Sequence, residues 1–156
     1  MKKTNAARIL DKLGISYEMI EYNVDENDLS ATHVAETLGE NPQVVFKTLV
    51  AKGEKNGIGV FIIPATYELN LKAAAQAMSD KKVTMIQVKE LLPLTGYIRG
   101  GCSPIGMKKN FPTYLHESAN LFSKIYISAG IRGMQLMLSP NDLIRATNAM
   151  VCSIAE

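Results

Sequence analysis

The chain has 156 residues, of which 47% are hydrophobic and 21% are charged, a balance typical of a globular domain and not of a disordered or fibrous chain. Seventeen Lys and Arg against fifteen Asp and Glu leave a formal net charge of +2, too small by itself to indicate a nucleic-acid-binding protein. The longest uncharged stretch, Asn56–Tyr67, is far shorter than the ~20 apolar residues of a membrane span, and no apolar signal core follows Lys3.

These bounds predict one domain over residues 1–156 in a soluble, cytoplasmic protein with no membrane segment. A chain of this length buries enough surface to form a core without a metal or a disulfide. Two cysteines, Cys102 and Cys152, and two histidines, His33 and His116, show no metal-ligand spacing. We therefore expect reduced thiols, no metal site and no cofactor.

Helices and strands alternate in the first part of the chain. Thr4 before apolar residues at helical spacing, closed by Gly14, predicts an N-terminal helix. A strand is expected at about Ser16–Asn23. Ser30–Leu38 followed by Gly39 predicts a second short helix.

A β-hairpin and a third helix are predicted next. The hairpin consists of a β-rich run at Val44–Lys52, a polar turn, and an apolar strand at Ile58–Pro64 that looks buried on both faces. Asn70 can cap a helix that extends through Met78. A short strand at Val83–Ile86 and a helical turn at Val88–Leu92, ended by Pro93, complete this part.

Three short strands and a final helix are predicted after a glycine-rich segment. The strands are Thr113–His116, Lys124–Ser128 and Met134–Leu138. Ser139 followed by Pro140 begins the helix, which we expect to contain Leu143, Ile144 and Met150 as core positions. The strands are too closely spaced for a regular βαβ succession, so the predicted class is mixed α/β.

Lys47 is the first candidate for chemistry. Strand alternation places it on one face with the apolar residues Val45, Leu49 and Ala51. An edge strand whose lysine extends to water explains this pattern. A cation directed into a pocket, where it would hold an anionic group or stabilise developing negative charge, also explains it.

The glycine-rich segment Thr95–Gly106 is the second candidate. Consecutive glycines allow backbone N–H groups to approach a ligand and to form an anion-binding concavity or an oxyanion hole. The segment lacks the residues of a phosphate-binding P-loop and of a serine nucleophile elbow, so a simple connection remains open. Cys102 within it could be a nucleophile, but neither histidine has a spacing that identifies it as the base.

Tyr97–Tyr114 contains basic residues and no acid, whereas acids cluster in the early chain. This distribution is consistent with a local anion site and also with an ordinary solvated surface. The basic residues are Arg99, Lys108 and Lys109.

Phe46-Lys47-Thr48, together with the segment Gly96–Lys109, resembles the YbaK/EbsC family of trans-editing aminoacyl-tRNA deacylases. This family is related to the editing domain inserted in bacterial prolyl-tRNA synthetase. The similarity extends essentially from end to end and includes Leu38–Pro42, Leu71–Ala74 and Ile125–Gly130. It implies a mixed α/β fold, with a curved, partly barrel-like sheet and flanking helices.

The resemblance also implies the activity, which is release of a wrong amino acid from tRNA. In the YbaK branch the substrate is Cys-tRNA(Pro), with Cys-tRNA(Cys) as a further substrate, and the cysteine thiol itself can attack the ester carbonyl. Such an enzyme supports translational fidelity and needs no nucleophile of its own, only positioning and N–H donors. Its partners would be aminoacyl-tRNA and prolyl-tRNA synthetase.

Site residues follow from the same resemblance. Lys47 occupies the family's hallmark position near the terminal adenosine and its phosphate, and Gly100 and Gly101 would border the aminoacyl ester. Further substrate-binding positions are Tyr22, Leu29 or Ser30, Thr48, Ser128 and Gln135. The tRNA contacts would be Arg99, Lys108 and Lys109.

Two departures from the family pattern concern the pocket. Leu29 or Ser30 stands where some relatives place an aromatic residue. Gln135 stands where the Cys-specific enzyme can carry an aspartate. The alternatives to a Cys-tRNA deacylase are an Ala-tRNA(Pro) deacylase that uses bound water, and a non-catalytic tRNA- or nucleotide-binding module of the same fold.

Overall fold

The computed structural model describes residues 2–156, which contain five α-helices, eight strands and one 3₁₀ helix. The helices are α1 Asn5–Lys12, α2 Ala31–Leu38, α3 Leu71–Ala77, α4 Val88–Thr95 and α5 Pro140–Thr147, with the 3₁₀ helix at Glu117–Leu121. The strands are β1 Glu18–Glu21, β2 Phe46–Gly53, β3 Ile58–Pro64, β4 Val83–Met85, β5 Thr113–His116, β6 Ile125–Ser128, β7 Met134–Leu138 and β8 Met150–Cys152.

The strands form two sheets. A three-stranded antiparallel sheet has the order β1-β7-β6, and a five-stranded mixed sheet has the order β4-β2-β3-β5-β8. In the larger sheet, β5 is parallel to both β3 and β8. The predicted mixed α/β class is confirmed, with two sheets rather than one closed barrel.

Local capping signals define the helix ends as the sequence predicts. The side chains of Thr4, Ser30 and Asn70 accept hydrogen bonds from backbone N–H groups in the first turns of α1, α2 and α3. At the end of α2, Gly39 adopts a left-handed conformation with φ of 70°. Ser139 caps α5 and precedes Pro140 at the start of that helix.

Three local predictions were wrong. Helix α4 continues through Pro93 to Thr95, because the Thr95 hydroxyl and the Gly96 N–H donate to carbonyls of the preceding turn. Helix α5 ends at Thr147, and Met150 lies in β8 and is 59% exposed, so it is not a core position. Strand β8 was not predicted, because its pairing with β5 is a long-range contact.

The central strand of the larger sheet supplies much of the core. Phe61, Ile62 and Ile63 of β3 are fully buried, as expected for a strand covered on both faces. The Phe61 ring stacks on that of Tyr114 in β5 at 5.1 Å between centroids. No helix within residues 2–156 is long and apolar enough to cross a membrane.

Strand β2 lies at the junction of the two sheets. It pairs with β3 along its whole length, but with β4 only over Ala51–Gly53. On the same edge a single parallel bridge joins Val45 to Tyr126 of the smaller sheet. Within residues 2–156, the edge of β2 between these contacts is hydrogen-bonded to no other strand, and a cavity opens there.

Candidate active site

The cavity has a volume of about 340 Å³ and brings together five parts of the fold. These are the open edge of β2, the connection from β4 into α4, the glycine-rich loop, the loop that leads into α2, and the paired strands β6 and β7. The side chains that line it are mostly apolar, with polar groups at a few points. The lining residues that carry the argument below are Leu29, Lys47, Thr48, Gly100, Cys102 and Gln135.

Lys47 lines the cavity from β2. Its side-chain ammonium donates a hydrogen bond to the carbonyl oxygen of Ala65, with 3.0 Å between nitrogen and oxygen. Desolvation by burial lowers the pKa of Lys47, and the nearby Glu68 carboxylate partly opposes this shift. Within residues 2–156 the ammonium forms no salt bridge, so its charge remains available to an anionic ligand.

Two buried polar atoms of residues that line the cavity have no hydrogen-bond partner in residues 2–156. They are Oγ1 of Thr48 and Oε1 of Gln135, and the Gln135 residue is only 5% exposed. Leaving a buried acceptor unsatisfied costs about 1–3 kcal/mol. Both residues line the cavity, but the two oxygen atoms are themselves buried, so a ligand donor reaches them only after the side chain rotates.

Strand register places Gln135 next to another predicted site residue. Gln135 in β7 is paired with Ser128 in β6, and both line the cavity. The Ser128 hydroxyl oxygen accepts a hydrogen bond from the Gly130 N–H at 3.1 Å. The hydroxyl of Ser30 is used as the cap of α2 and also donates to Asp28.

The two consecutive glycines of the loop, Gly100 and Gly101, have different surroundings. Gly100 lines the cavity and has φ of 85°, a left-handed conformation that favours glycine. Gly101 does not line it: its N–H donates to the Ile98 carbonyl, and a Cβ there would lie 3.1 Å from the Arg132 backbone nitrogen. The N–H groups of Gly100 and Cys102 have no partner in residues 2–156, so they are the candidate oxyanion donors.

The Cys102 thiol is a poor nucleophile in this environment. Burial raises its pKa to about 12, and the nearby Thr95 hydroxyl opposes that shift only in part. The reactive form of cysteine is the thiolate, which this environment disfavours. Among residues 2–156, the cavity lining contains no Asp, Glu or His that could serve as a general base.

The remaining predicted residues are divided between the cavity and other surfaces. Leu29, Ser30 and Arg99 line the cavity, whereas Tyr22 lines a separate, more open hollow. Lys108 and Lys109 are exposed and do not line the cavity, and the Lys108 side chain lies against Gly96. Of the three predicted tRNA contacts, only Arg99 is part of the cavity.

One wall of the cavity could not be predicted from the sequence. It runs from the end of β4 into α4 and is apolar apart from a single glutamine. Its position depends on the pairing of β4 with β2, a contact that local patterns do not encode. The lining residues in this wall are Met85, Ile86, Gln87, Val88 and Leu91.

Comparison with known proteins identifies the family to which the chain belongs. Residues 25–146 match the model of the aminoacyl-tRNA editing domain. The chain is 49% identical over 153 residues to the Enterococcus faecalis protein named "Putative Cys-tRNA(Pro)/Cys-tRNA(Cys) deacylase EbsC", covering 98% of this chain and 93% of that protein. It is 27% identical over 126 residues to the Bacillus subtilis protein YwhH, covering 79% and 80% of the two chains.

A solved structure supports the fold. The crystal structure described as "a putative trans-editing enzyme for prolyl tRNA synthetase" superposes with a TM-score of 0.84 at 24% identity, covering 99% of both chains. This likeness concerns the fold, and the sequence matches concern the family. The chain belongs to the aminoacyl-tRNA editing domain family, as the resemblance of its lysine strand and glycine loop indicates.

Proposed function

We propose that this protein releases cysteine from mischarged Cys-tRNA(Pro), and also from Cys-tRNA(Cys). Membership of the aminoacyl-tRNA editing family and the 49% identity to a relative named for these two substrates support the assignment. The observation that carries it is the chemistry of the cavity. The described residues provide a cation and N–H donors there, but no general base and no activated nucleophile.

A substrate that brings its own nucleophile matches such a cavity. The cysteine sulfur bonds to the ester carbonyl carbon, and the bond from that carbon to the ribose oxygen breaks. The thiol proton passes to the departing ribose oxygen, and water then opens the resulting four-membered thiolactone to free cysteine. Holding the thiol beside the ester provides much of the acceleration, because the reaction is intramolecular.

Lys47 binds the phosphate of the terminal nucleotide in this proposal. An ammonium has three donors, so Lys47 can keep its bond to the Ala65 carbonyl and still donate to a phosphate oxygen. A charge-assisted hydrogen bond of this kind is stronger than a neutral one. The partly desolvated position of Lys47 strengthens the attraction further.

The α-ammonium group of the cysteinyl ester faces Gln135 and Thr48. Their oxygens are acceptors without a partner in residues 2–156, and rotation of either side chain towards the cavity lets the ammonium donate to it. The N–H groups of Gly100 and Cys102 stabilise the negative charge that develops on the carbonyl oxygen. Gly101 supports the loop because its lack of a Cβ allows the close packing against Arg132.

Selectivity for the tRNA comes largely from a partner in this proposal. A net charge of +2 provides little attraction for the tRNA body, and Arg99, Lys108 and Lys109 are the local exception. Recruitment by prolyl-tRNA synthetase in the cytoplasm would raise the local concentration of the mischarged tRNA(Pro). The solved structure described as a trans-editor for that synthetase shares this fold, which is consistent with such a partnership.

The test is a deacylation assay with Cys-tRNA(Pro), Cys-tRNA(Cys) and Ala-tRNA(Pro) measured side by side. We expect release from both cysteinyl substrates and little from the alanyl one, because alanine has no thiol to attack its ester. Preferential release of alanine would indicate the water-dependent reaction instead. Binding of all three without release would indicate a non-catalytic module.

A further inference from the structure

Arg132, in the turn between β6 and β7, joins three segments around the cavity mouth. Its Nε donates to the carbonyl oxygen of Arg99 at 2.9 Å, and its Nη1 donates to Oε2 of Glu26 at 2.7 Å. Arg99 belongs to the glycine-rich loop, and Glu26 belongs to the loop of residues 25–30, called the acidic loop here, which leads into α2. One guanidinium therefore connects both loops to the smaller sheet.

The segments that Arg132 joins are walls of the cavity. Leu29 from the acidic loop and Gly100 from the glycine loop both line it. They are in close contact, because a Cβ placed on Gly100 would lie 3.2 Å from both Leu29 Cδ2 and Arg132 Nε. A change in the Arg132 contacts would therefore move the acidic loop and the glycine loop together.

The Arg132–Glu26 ion pair is exposed, so we expect it to affect the two loops and not the stability of the whole fold. The Arg132 side chain is 30% exposed and that of Glu26 is 67% exposed. Exposed ion pairs contribute little to the free energy of unfolding. A planar guanidinium with donors fixed in a fork can nevertheless hold two acceptors in one geometry, which an ammonium does less well.

We propose that Arg132 is a positioning residue for the editing reaction and that, through Glu26 and the Arg99 carbonyl, it holds the acidic loop and the glycine loop closed over the bound aminoacyl ester. The proposal rests on the proposed function. Arg132 itself does not line the cavity and contacts no reacting atom. Its effect reaches the substrate through the Gly100 backbone and the Leu29 side chain.

Variants can separate the two contacts of the guanidinium. Glu26→Gln removes the charge of the ion pair, Arg132→Lys removes the forked donor, and Arg132→Gln removes the cation. Single-turnover release of cysteine at saturating enzyme is the readout, because it reports the chemical step and not the encounter with tRNA. We expect the rate to fall up to about fivefold in Glu26→Gln, the range that exposed ion pairs support. In Arg132→Gln we expect the rate to fall about tenfold. The rate of Arg132→Lys should lie between those of the wild type and Arg132→Gln.

Two controls make the interpretation specific. Asp11→Asn removes the charge of the exposed Lys3–Asp11 pair, and it should leave the rate unchanged. The double variant Glu26→Gln with Arg132→Gln should be no slower than Arg132→Gln alone, because both substitutions break the same contact. Amide hydrogen exchange should be faster at residues 25–30 and 99–102 in Arg132→Gln, with the thermal midpoint within about 2 °C of wild type.

A rate in Arg132→Gln within twofold of wild type, with unchanged exchange in both loops, would overturn the proposal. A slower rate accompanied by a large drop in thermal midpoint would also overturn it, by showing that Arg132 acts on the whole fold. If the wild-type protein releases no cysteine from either tRNA, the proposed function fails. The exchange measurement would then still decide whether Arg132 orders the two loops.

Discussion

Individual side chains in the cavity are held in states that cost free energy in the absence of a ligand. Lys47 is half-buried, and desolvation lowers its pKa. Oε1 of Gln135 is buried without a hydrogen-bond partner in residues 2–156. Costs of this kind concentrate at functional sites, where the ligand supplies the missing interaction. Both residues lead to predictions that separate activity from stability.

Substitution of Lys47 by alanine should reduce kcat/KM for Cys-tRNA by about two orders of magnitude, the upper range for loss of a charge-assisted hydrogen bond. The fold should persist, because partial burial of the charged ammonium costs free energy, and its removal therefore does not destabilise the folded state. The matched control is Lys52→Ala, which removes an exposed lysine from the same strand. Deacylation rates and thermal unfolding of both variants provide the measurement. Near-normal turnover by folded Lys47→Ala would contradict the site assignment.

Gln135→Leu should raise the KM for Cys-tRNA about tenfold, because the α-ammonium loses an acceptor. Its free energy of unfolding should stay the same or increase, since an unsatisfied buried oxygen is removed. Ser118→Ala is the control, because Ser118 Oγ is also buried with no partner among residues 2–156 but lies outside the cavity. An unchanged KM in Gln135→Leu would show that the glutamine does not bind substrate.

Cys102→Ala and Cys102→Ser should both retain turnover within about threefold of wild type, because the attacking thiol belongs to the substrate. The pKa of about 12 keeps the Cys102 thiol protonated at neutral pH. Deacylation assays and mass spectrometry of the reacting wild-type enzyme check this. An acyl group found on Cys102, together with inactive variants, would show that the protein uses its own cysteine.

At the scale of elements, the pairing of strands decides which groups meet. Strand β8 closes the larger sheet beside β5 and directs the chain end towards His116, whose Nδ1 accepts a hydrogen bond from the Ile154 N–H at 3.2 Å. The His116 ring also contacts Tyr67 edge-on. Burial lowers the pKa of His116, and Glu117 opposes this shift. The neutral ring is therefore the form that the fold prefers.

Acidification should weaken the attachment of β8. Because the folded pKa of His116 lies below the unfolded value of 6.5, its contribution to stability is complete above pH 6.5 and is lost as the pH falls below it. We expect a lower thermal midpoint at pH 5 than at pH 7.5, and a smaller difference in His116→Asn, which cannot titrate. Equal pH dependence in wild type and His116→Asn would contradict this assignment.

At the scale of the whole molecule, charge distribution determines how the protein meets tRNA. The net charge is +2, and Arg99, Lys108 and Lys109 lie in one stretch without acids. Such a surface should bind free tRNA weakly and with an affinity that falls as salt concentration rises. Because the protein itself binds the tRNA body weakly, its preference between Cys-tRNA(Pro) and Cys-tRNA(Cys) should change when prolyl-tRNA synthetase is present.

We expect the isolated protein to deacylate Cys-tRNA(Pro) and Cys-tRNA(Cys) with comparable kcat/KM. Addition of prolyl-tRNA synthetase should favour Cys-tRNA(Pro), because its own contacts raise the local substrate concentration. The measurement compares both substrates with and without the synthetase at two salt concentrations. A strong preference for tRNA(Pro) in the isolated protein would show that this surface reads tRNA directly.

Much of the local structure, and the two segments that mark the family, could be predicted from the sequence. Thr4, Ser30, Asn70 and Ser139 identify helix starts because capping involves only neighbouring residues. The hairpin of β2 and β3 follows from residue type and a polar turn. The roles of the site residues stay predictions, because they were implied by the family resemblance.

The tertiary structure alone decided which of those residues meet. Long-range strand pairing positions the wall at Met85–Val88, and the same kind of contact creates β8. The glycine spacing does not reveal that the Gly101 N–H is used within the loop, or that Arg132 joins that loop to Glu26 across 106 positions. Sequence patterns report local preferences, whereas a cavity is formed by contacts between distant segments, so its shape emerges only when the chain is folded.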